Sequence, residues 1–256
     1  MEHKEASDAF SRLLEIMDTL REKCPWDRKQ TFESLRHLTI EETYELSEAI
    51  SSGNYSELRK ELGDVLLHLV FYAKIASEQN LFTIKDVLDA LCEKLIFRHP
   101  HVYGNTEAAD EEAVKQNWEK IKLKEGNVSV LGGVPSGLPA MIKAMRMQEK
   151  ARAVGFDWDH KDQVWMKLNE ELQEFQHECE TGDMQKMEEE LGDVLFSVIN
   201  YARFMGLNPE DALEKTNRKF KFRFEYMEEK VRNSGETFEN TSLEQMEVYW
   251  NEAKKA

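Results

Sequence analysis

The sequence predicts an all-α protein, a tandem duplication of one helical-bundle unit, and three observations lead there. ELGDVL stands at 61–66 and again at 190–195, and both copies run on to Tyr-Ala, at 72–73 and 201–202. Upstream, TIEETYELSEA at 39–49 matches LNEELQEFQHE at 168–178 at the same offset of 129 residues. A fixed internal offset of this kind marks a repeated structural unit. Glycine and proline are scarce, 12 and 5 in 256 residues, whereas the many turns of a β-sandwich demand them. Apolar residues, finally, recur at helical spacing around each repeat.

The elements follow in order. Leu35, Leu38, Tyr44 and Leu46 with Ile50 recur at three-to-four spacing, and SSGN at 51–54 ends that helix. A second helix is expected from near Ser56, as N-cap, to about Glu78. The second unit repeats the pair with its break at TGD, 181–183. Two antiparallel helices leave apolar faces uncovered, and segments 83–97, 107–124, 209–231 and 241–254 are expected to cover them as a helical bundle. Trp26-Asp27 has a counterpart in Trp158-Asp159, and Trp118 and Lys122 have counterparts in Trp250 and Lys254. The expected domains are 1–125 and 141–256, joined by the glycine- and proline-rich stretch GNVSVLGGVPSGLPA, 126–140.

Composition narrows the function classes. The chain is 41% hydrophobic and 33% charged, with a mean hydropathy of −0.64, which excludes a disordered chain and a membrane-embedded one. The formal charge of −16 offers no basic surplus for a polymeric nucleic acid, whose binding rests on counterion release. A small phosphorylated ligand stays open, because a divalent cation reconciles carboxylates with phosphate. Cys24, Cys92 and Cys179 form no CxxC pair and read as reduced thiols, the N-terminus lacks an apolar signal core, and a cytoplasmic protein is expected. The most apolar run, Val65 to Ile75, contains His68 and Lys74 and is too short to span a bilayer.

The chemistry lies in the acidic residues. Glu42 and Glu45 share one face of the first helix, as do Glu61 and Asp64 on the second. An antiparallel hairpin brings these pairs together. Converging carboxylates repel unless a cation sits between them, and all-oxygen ligation selects Mg²⁺, Mn²⁺ or Ca²⁺. The pattern recurs at Glu171, Glu174, Glu190 and Asp193. The alternative is that these residues line solvated helix faces. Gly63 and Gly192 sit inside the ELGD motifs, where glycine weakens a helix, and suggest that something approaches the backbone closely there.

EExxE followed by ELGDVL, twice, with LGGVPSGLPAMIKAMRMQEKARAVGFDW between the copies, resembles the MazG family of the all-α nucleoside triphosphate pyrophosphatases over nearly the whole chain. The resemblance implies Mg²⁺-dependent hydrolysis of a nucleoside triphosphate to a monophosphate and pyrophosphate, with broad base tolerance, a homodimer and a role in nucleotide-pool housekeeping; Mn²⁺ is the alternative ion. It implies metal ligands at Glu171, Glu174, Glu190 and Asp193, with Asp193 also against the nucleotide, and substrate contacts at Lys219, Arg223, Trp250 and Lys254. Lys219 and Arg223 lie four apart and suit triphosphate oxygens, although they read equally as surface charge. Trp250 offers a plane for a base or reads as core. Lys167, one turn before Glu171, is placed to reach a phosphate, and Asn200, two turns beyond Asp193, to bond ribose or base. Glu170 is a candidate for positioning or deprotonating the attacking water, with a supporting salt bridge as the alternative.

The first unit keeps Glu42, Glu45, Glu61 and Asp64, with Lys94, Arg98, Trp118 and Lys122 as rough counterparts of the basic and aromatic residues. It departs at Leu38 for Lys167 and Phe71 for Asn200, so 141–256 is expected to be the main catalytic unit. Two rivals remain. A di-iron carboxylate bundle wants ExxH from two helices, and the single match, Glu174 with His177, has Glu48 at the repeated histidine position. A non-catalytic helical scaffold or nucleotide sensor is the alternative from another class. No GxxxxGK[ST] loop occurs, so phosphate binding falls to metal and side chains.

Overall fold

A computed structural model describes residues 2–104 and 129–255, together with residues 114, 118 and 121. The chain divides into two compact units, Met1–Ala108 and Ala109–Ala256. Among the described residues every regular element is helical.

The first unit contains α1 (Glu2–Lys23), a 3₁₀ turn at Asp27–Lys29, α2 (Phe32–Ser52), α3 (Tyr55–Glu78), α4 (Ile84–Arg98) and the short α5 (Pro100–Tyr103). Local chemistry sets the central hairpin. The Thr31 hydroxyl accepts the Ser34 amide at 3.2 Å while Ser34 Oγ accepts the Thr31 amide at 2.8 Å, a reciprocal cap that starts α2. Gly53 ends it with φ of 68°, a left-handed turn that glycine takes without strain. The residue then left extended is Asn54, and its Oδ1 accepts the amides of Ser56 and Glu57 at 3.1 and 3.3 Å. Asn54 is therefore the cap of α3 rather than Ser56, because the cap is the last extended residue before the helix.

The helix α1 lies on the α2–α3 hairpin and builds the core. Met17, Leu35, Val70, Phe71 and Ile75 are buried, with Phe10, Leu13, Leu14, Phe32, Leu38, Leu67 and Tyr72 packed around them. Each fully buried side chain of this kind contributes roughly 1.5–3 kcal/mol. Beside this core His68 is buried, with Nδ1 2.7 Å from Thr39 Oγ1, which in turn lies 2.6 Å from Tyr72 Oη.

The second unit contains α6 (Ala140–Ala153), α7 (Lys161–Thr181), α8 (Met184–Phe204), α9 (Pro209–Asn233) and α10 (Leu243–Ala253). Gly182, φ 77°, and Asp183, whose Oδ1 accepts the Gln185 and Lys186 amides at 3.1 and 3.3 Å, make the α7–α8 turn as Gly53 and Asn54 make the first. Val164 and Leu168 of α7 and Val194 and Ile199 of α8 are buried, α7 packs on α8, and α6 packs on α8. Asn208 and Ser242 cap α9 and α10, which pack together over Met227, Val231 and Ala253.

Segments 83–97, 209–231 and 241–254 thus form α4, α9 and α10. Apart from residues 114, 118 and 121, the segment 107–124 with Lys122 lies outside the described residues, as do 126–128 of the linker. The rest of the linker forms successive turns, in which the amides of Gly132, Val134 and Leu138 bond the carbonyls of Ser129, Leu131 and Pro135. Helices α1 and α6 are additions to the elements that the sequence predicts. Among the described residues no helix is long and apolar enough to cross a membrane.

Candidate active site

Each hairpin gathers acidic side chains at one place. One carboxylate oxygen from each of Glu171, Glu174 and Glu190 lies within 4.8 Å of the other two, and Glu42, Glu45 and Glu61 meet in the same way. The spacing follows from the helix period, which puts two glutamates a turn apart on the first helix opposite one on the second. Asp64 and Asp193 stand one turn further on, outside these closest groups. The Asp64 charge is still felt at Glu42, whose carboxyl is pushed up first by partial burial and then by Asp64, Glu45 and Glu61.

The two clusters differ in which glutamate is buried. In the first unit it is Glu61, 3% exposed; in the second it is Glu171, 7% exposed. Each buried glutamate has a lysine. Lys60 Nζ lies 2.9 Å from Glu61 Oε1, whereas Lys167 Nζ lies 2.9 Å from Glu171 and 3.0 Å from Glu170. At the repeat offset Lys60 falls on Glu189 and Lys167 on Leu38, so the lysine has changed helices together with the buried carboxylate.

These residues fit a divalent cation. Glu61 Oε2 is buried and has no hydrogen-bond partner, a costly arrangement for an anionic oxygen. A hard cation held by oxygens from Glu42, Glu45 and Glu61 removes that cost. In the second unit Glu174 carries its carboxyl above the usual range, because it is hydrogen-bonded to Glu171, then by burial and by the Glu171 charge. The repulsion between these two carboxyl groups is what a cation would relieve. Lys167 is pushed up by its bonds to Glu171 and Glu170 and stays charged.

The remaining expected residues fall in two places. Arg223 of α9 lies over the Trp250 ring of α10 at 5.7 Å, and Phe220 meets the same ring edge-on at 5.1 Å. Lys219 is exposed on α9, and Lys254 Nζ donates to Asn251 at 2.8 Å. Asn200 is elsewhere, on α8, where its Oδ1 accepts from Arg203 Nε at 3.1 Å and Nη2 at 2.8 Å. It lines a cavity of about 570 Å³ with Gln148, Phe156, Trp158, Phe196 and Arg203. In the first unit Lys94 is exposed on α4 and Arg98 ends that helix. Gly63 and Gly192 both face open space, and a Cβ added at either would meet nothing within 4 Å; no described part of the chain makes the close approach that their position suggests.

Sequence reasoning missed the cavity. Its wall is held by Arg203, 8% exposed in its side chain, which forks onto Asp157 at 3.0 and 2.5 Å. Burial pushes the Asp157 carboxyl up, but the bonds from Arg203 and the Trp158 amide outweigh it and hold it below its usual range. Trp158, in the sequence, is no more than a repeat marker.

Comparison with known proteins bears on this architecture. The MazG nucleotide pyrophosphohydrolase domain matches residues 30–103 and 161–227, which cover both carboxylate hairpins. The nucleoside triphosphate pyrophosphohydrolase/pyrophosphatase MazG of Thermotoga maritima is 46% identical over 98% of both chains. The nucleoside triphosphate pyrophosphohydrolase of Escherichia coli K12 is 40% identical over 96% of this chain and 97% of its own. A Bacillus subtilis protein, the uncharacterized YabN, is 44% identical over 96% of this chain and 52% of its own length. With two domain matches and full-length relatives, the chain belongs to the MazG nucleotide pyrophosphohydrolase family.

Proposed function

We propose that this protein hydrolyses nucleoside triphosphates to monophosphate and pyrophosphate in a Mg²⁺-dependent reaction, with broad base tolerance and with residues 141–256 as the main catalytic unit. The observation that carries it is the twofold carboxylate cluster with a buried, unpartnered oxygen on Glu61, in a chain whose relatives bear that activity in their names. Glu171, Glu174, Glu190 and Asp193 would hold the metal in the second unit, and Glu42, Glu45, Glu61 and Asp64 in the first. Bound there, Mg²⁺, or Mn²⁺ in its place, would neutralise the triphosphate and favour deprotonation of a nearby water.

The chain's own residues do the rest. A triphosphate entering the cluster competes with Glu170 and Glu171 for Lys167 Nζ, now held by both. Transfer of that lysine to phosphate frees Glu170 to orient water and take its proton. The water oxygen bonds the α-phosphorus, the bridging bond to the β-phosphate breaks, and pyrophosphate leaves. Lys219, Arg223 and Lys254 supply further positive charge, and Asp193, Asn200 and Trp250 contact the nucleoside end.

The protein acts in the cytoplasm, in nucleotide-pool housekeeping, as a homodimer. In support of a second copy, α4 buries none of its residues and exposes Val87, Leu88, Leu91, Leu95, Ile96 and Phe97. The test is product analysis on a panel of NTPs and dNTPs. Pyrophosphate and monophosphate should form with Mg²⁺ and cease with EDTA; a nucleoside diphosphate as first product would refute the reading.

A further inference from the structure

We propose that α6 carries an oxyanion site, built on Lys150 and Lys143, that takes inorganic pyrophosphate and is separate from the carboxylate cluster of its unit. The site goes beyond the reading of the chain as a triphosphate hydrolase and does not depend on it.

A buried cation with nothing to balance it carries the proposal. Lys150 is 7% exposed. Among the described residues neither Lys150 nor Lys143 forms an ion pair or a hydrogen bond, whereas Arg146 between them is held by Glu149. A buried ammonium is costly unless an anion pairs with it. Partners are not scarce, since the chain has 50 acidic residues against 34 basic ones. Nor is this a solvated helix face, because every residue from 141 to 151 is buried or half-buried.

The helix period sets the site apart from the carboxylates. Gln148 marks the side of α6 that meets α8, where its Nε2 donates to the Phe196 carbonyl at 2.9 Å. Lys150 lies two residues on, about 200° around the helix. It therefore faces away from α8, the helix that bears Glu190 and Asp193. Lys143 stands seven residues before Lys150, within about 20° of the same face and about 10 Å along the axis. Two flexible four-carbon stems can close that gap on one anion. A diphosphate offers charged oxygens at both of its ends, one for each ammonium.

The experiment is calorimetry on the full chain in EDTA, where no metal bridges phosphate to the carboxylates, with pyrophosphate titrated at constant ionic strength. Wild type should bind pyrophosphate more tightly than sulfate, which cannot span the two lysines. Lys150→Met keeps the stem and removes the charge. It should weaken pyrophosphate binding by at least about tenfold, the loss of one charge-assisted bond, and should raise the Tm of the ligand-free protein. Should Lys150→Met fail to fold, Lys143→Met, at a half-buried position, reads the same loss of affinity. Three results would overturn the site: no pyrophosphate binding by wild type, sulfate bound as tightly, or a loss in Lys219→Ala as large as in the α6 variants. Unchanged affinity in Lys150→Met would do so too, because the lysine would then only lay its stem along the fold. In each case Mg²⁺-dependent hydrolysis by wild type is a separate measurement, and the enzyme reading stands or falls on that alone.

Discussion

Glu171 and Glu174 illustrate how a site is legible as residue types before it is legible as chemistry. The EExxE spacing places both on one helix face, but only the folded hairpin shows that Glu171 is the buried one, that Glu174 leans on it, and that Lys167 reaches both Glu170 and Glu171. Because Glu174 titrates above its ordinary 4.5, the native state holds that proton more tightly than the unfolded chain. Its stabilising contribution is complete below that ordinary value and is lost as pH rises through the raised one. Glu174→Gln removes the titration. In EDTA, its Tm relative to wild type should therefore climb as pH is raised from the carboxylate range to neutrality, and Mg²⁺ should reduce the difference by stabilising wild type more. Thermal melts across pH check this, and a difference that does not vary with pH would count against a raised Glu174 carboxyl.

At the scale of elements, the hairpins could be read from the sequence because their signals are local. Three-to-four spacing marks α2, α3, α7 and α8, and Gly53-Asn54 and Gly182-Asp183 punctuate them. Helices α1 and α6 give no comparable signal. Both are rich in charge, and α1 is fixed by packing Phe10, Leu13, Leu14 and Met17 on the hairpin rather than by propensity. The cavity was illegible for a related reason, since the Arg203–Asp157 contact joins residues 46 apart and leaves no periodic trace. The ELGD glycines remain a prediction at this scale. Both sit in helix interiors beside open space, so Gly63→Ala and Gly192→Ala should each stabilise the metal-free protein by about 0.5–1 kcal/mol. Urea denaturation measures the gain. Destabilisation by either change would mean that the open strip is closed in solution. If Gly192→Ala also weakens Mg²⁺–nucleotide binding, the approaching group is the ligand.

The molecule as a whole carries one idea twice, and the two versions have diverged around a constant carboxylate triad. The missing counterpart of Lys167 in the first unit looks from the sequence like a lost cation. The structure shows the cation moved instead, to Lys60, following the buried glutamate to the other helix. Charge balance at the two triads is therefore similar, and metal binding alone should not separate them. What differs between them is the surroundings of one repeated position, an open cavity at Asn200 against the packed ring of Phe71. With Leu38 in place of Lys167 and Phe71 in place of Asn200, a triphosphate in the first unit would lack two of the contacts expected to place its α-phosphorus, and misplacement by about 1 Å can cost 10²-fold in rate. Glu174→Gln should then lower kcat/KM for NTP hydrolysis by at least about 100-fold, the upper end of what removing a mere supporting group of a metal ligand costs. Glu45→Gln should lower it by less than about tenfold, while still abolishing part of the Mn²⁺ bound per chain. Steady-state kinetics on both variants, paired with metal counting by equilibrium dialysis, decide the matter. Equal losses of activity would show that both units turn over substrate, and a larger loss in Glu45→Gln would place the principal site in the first.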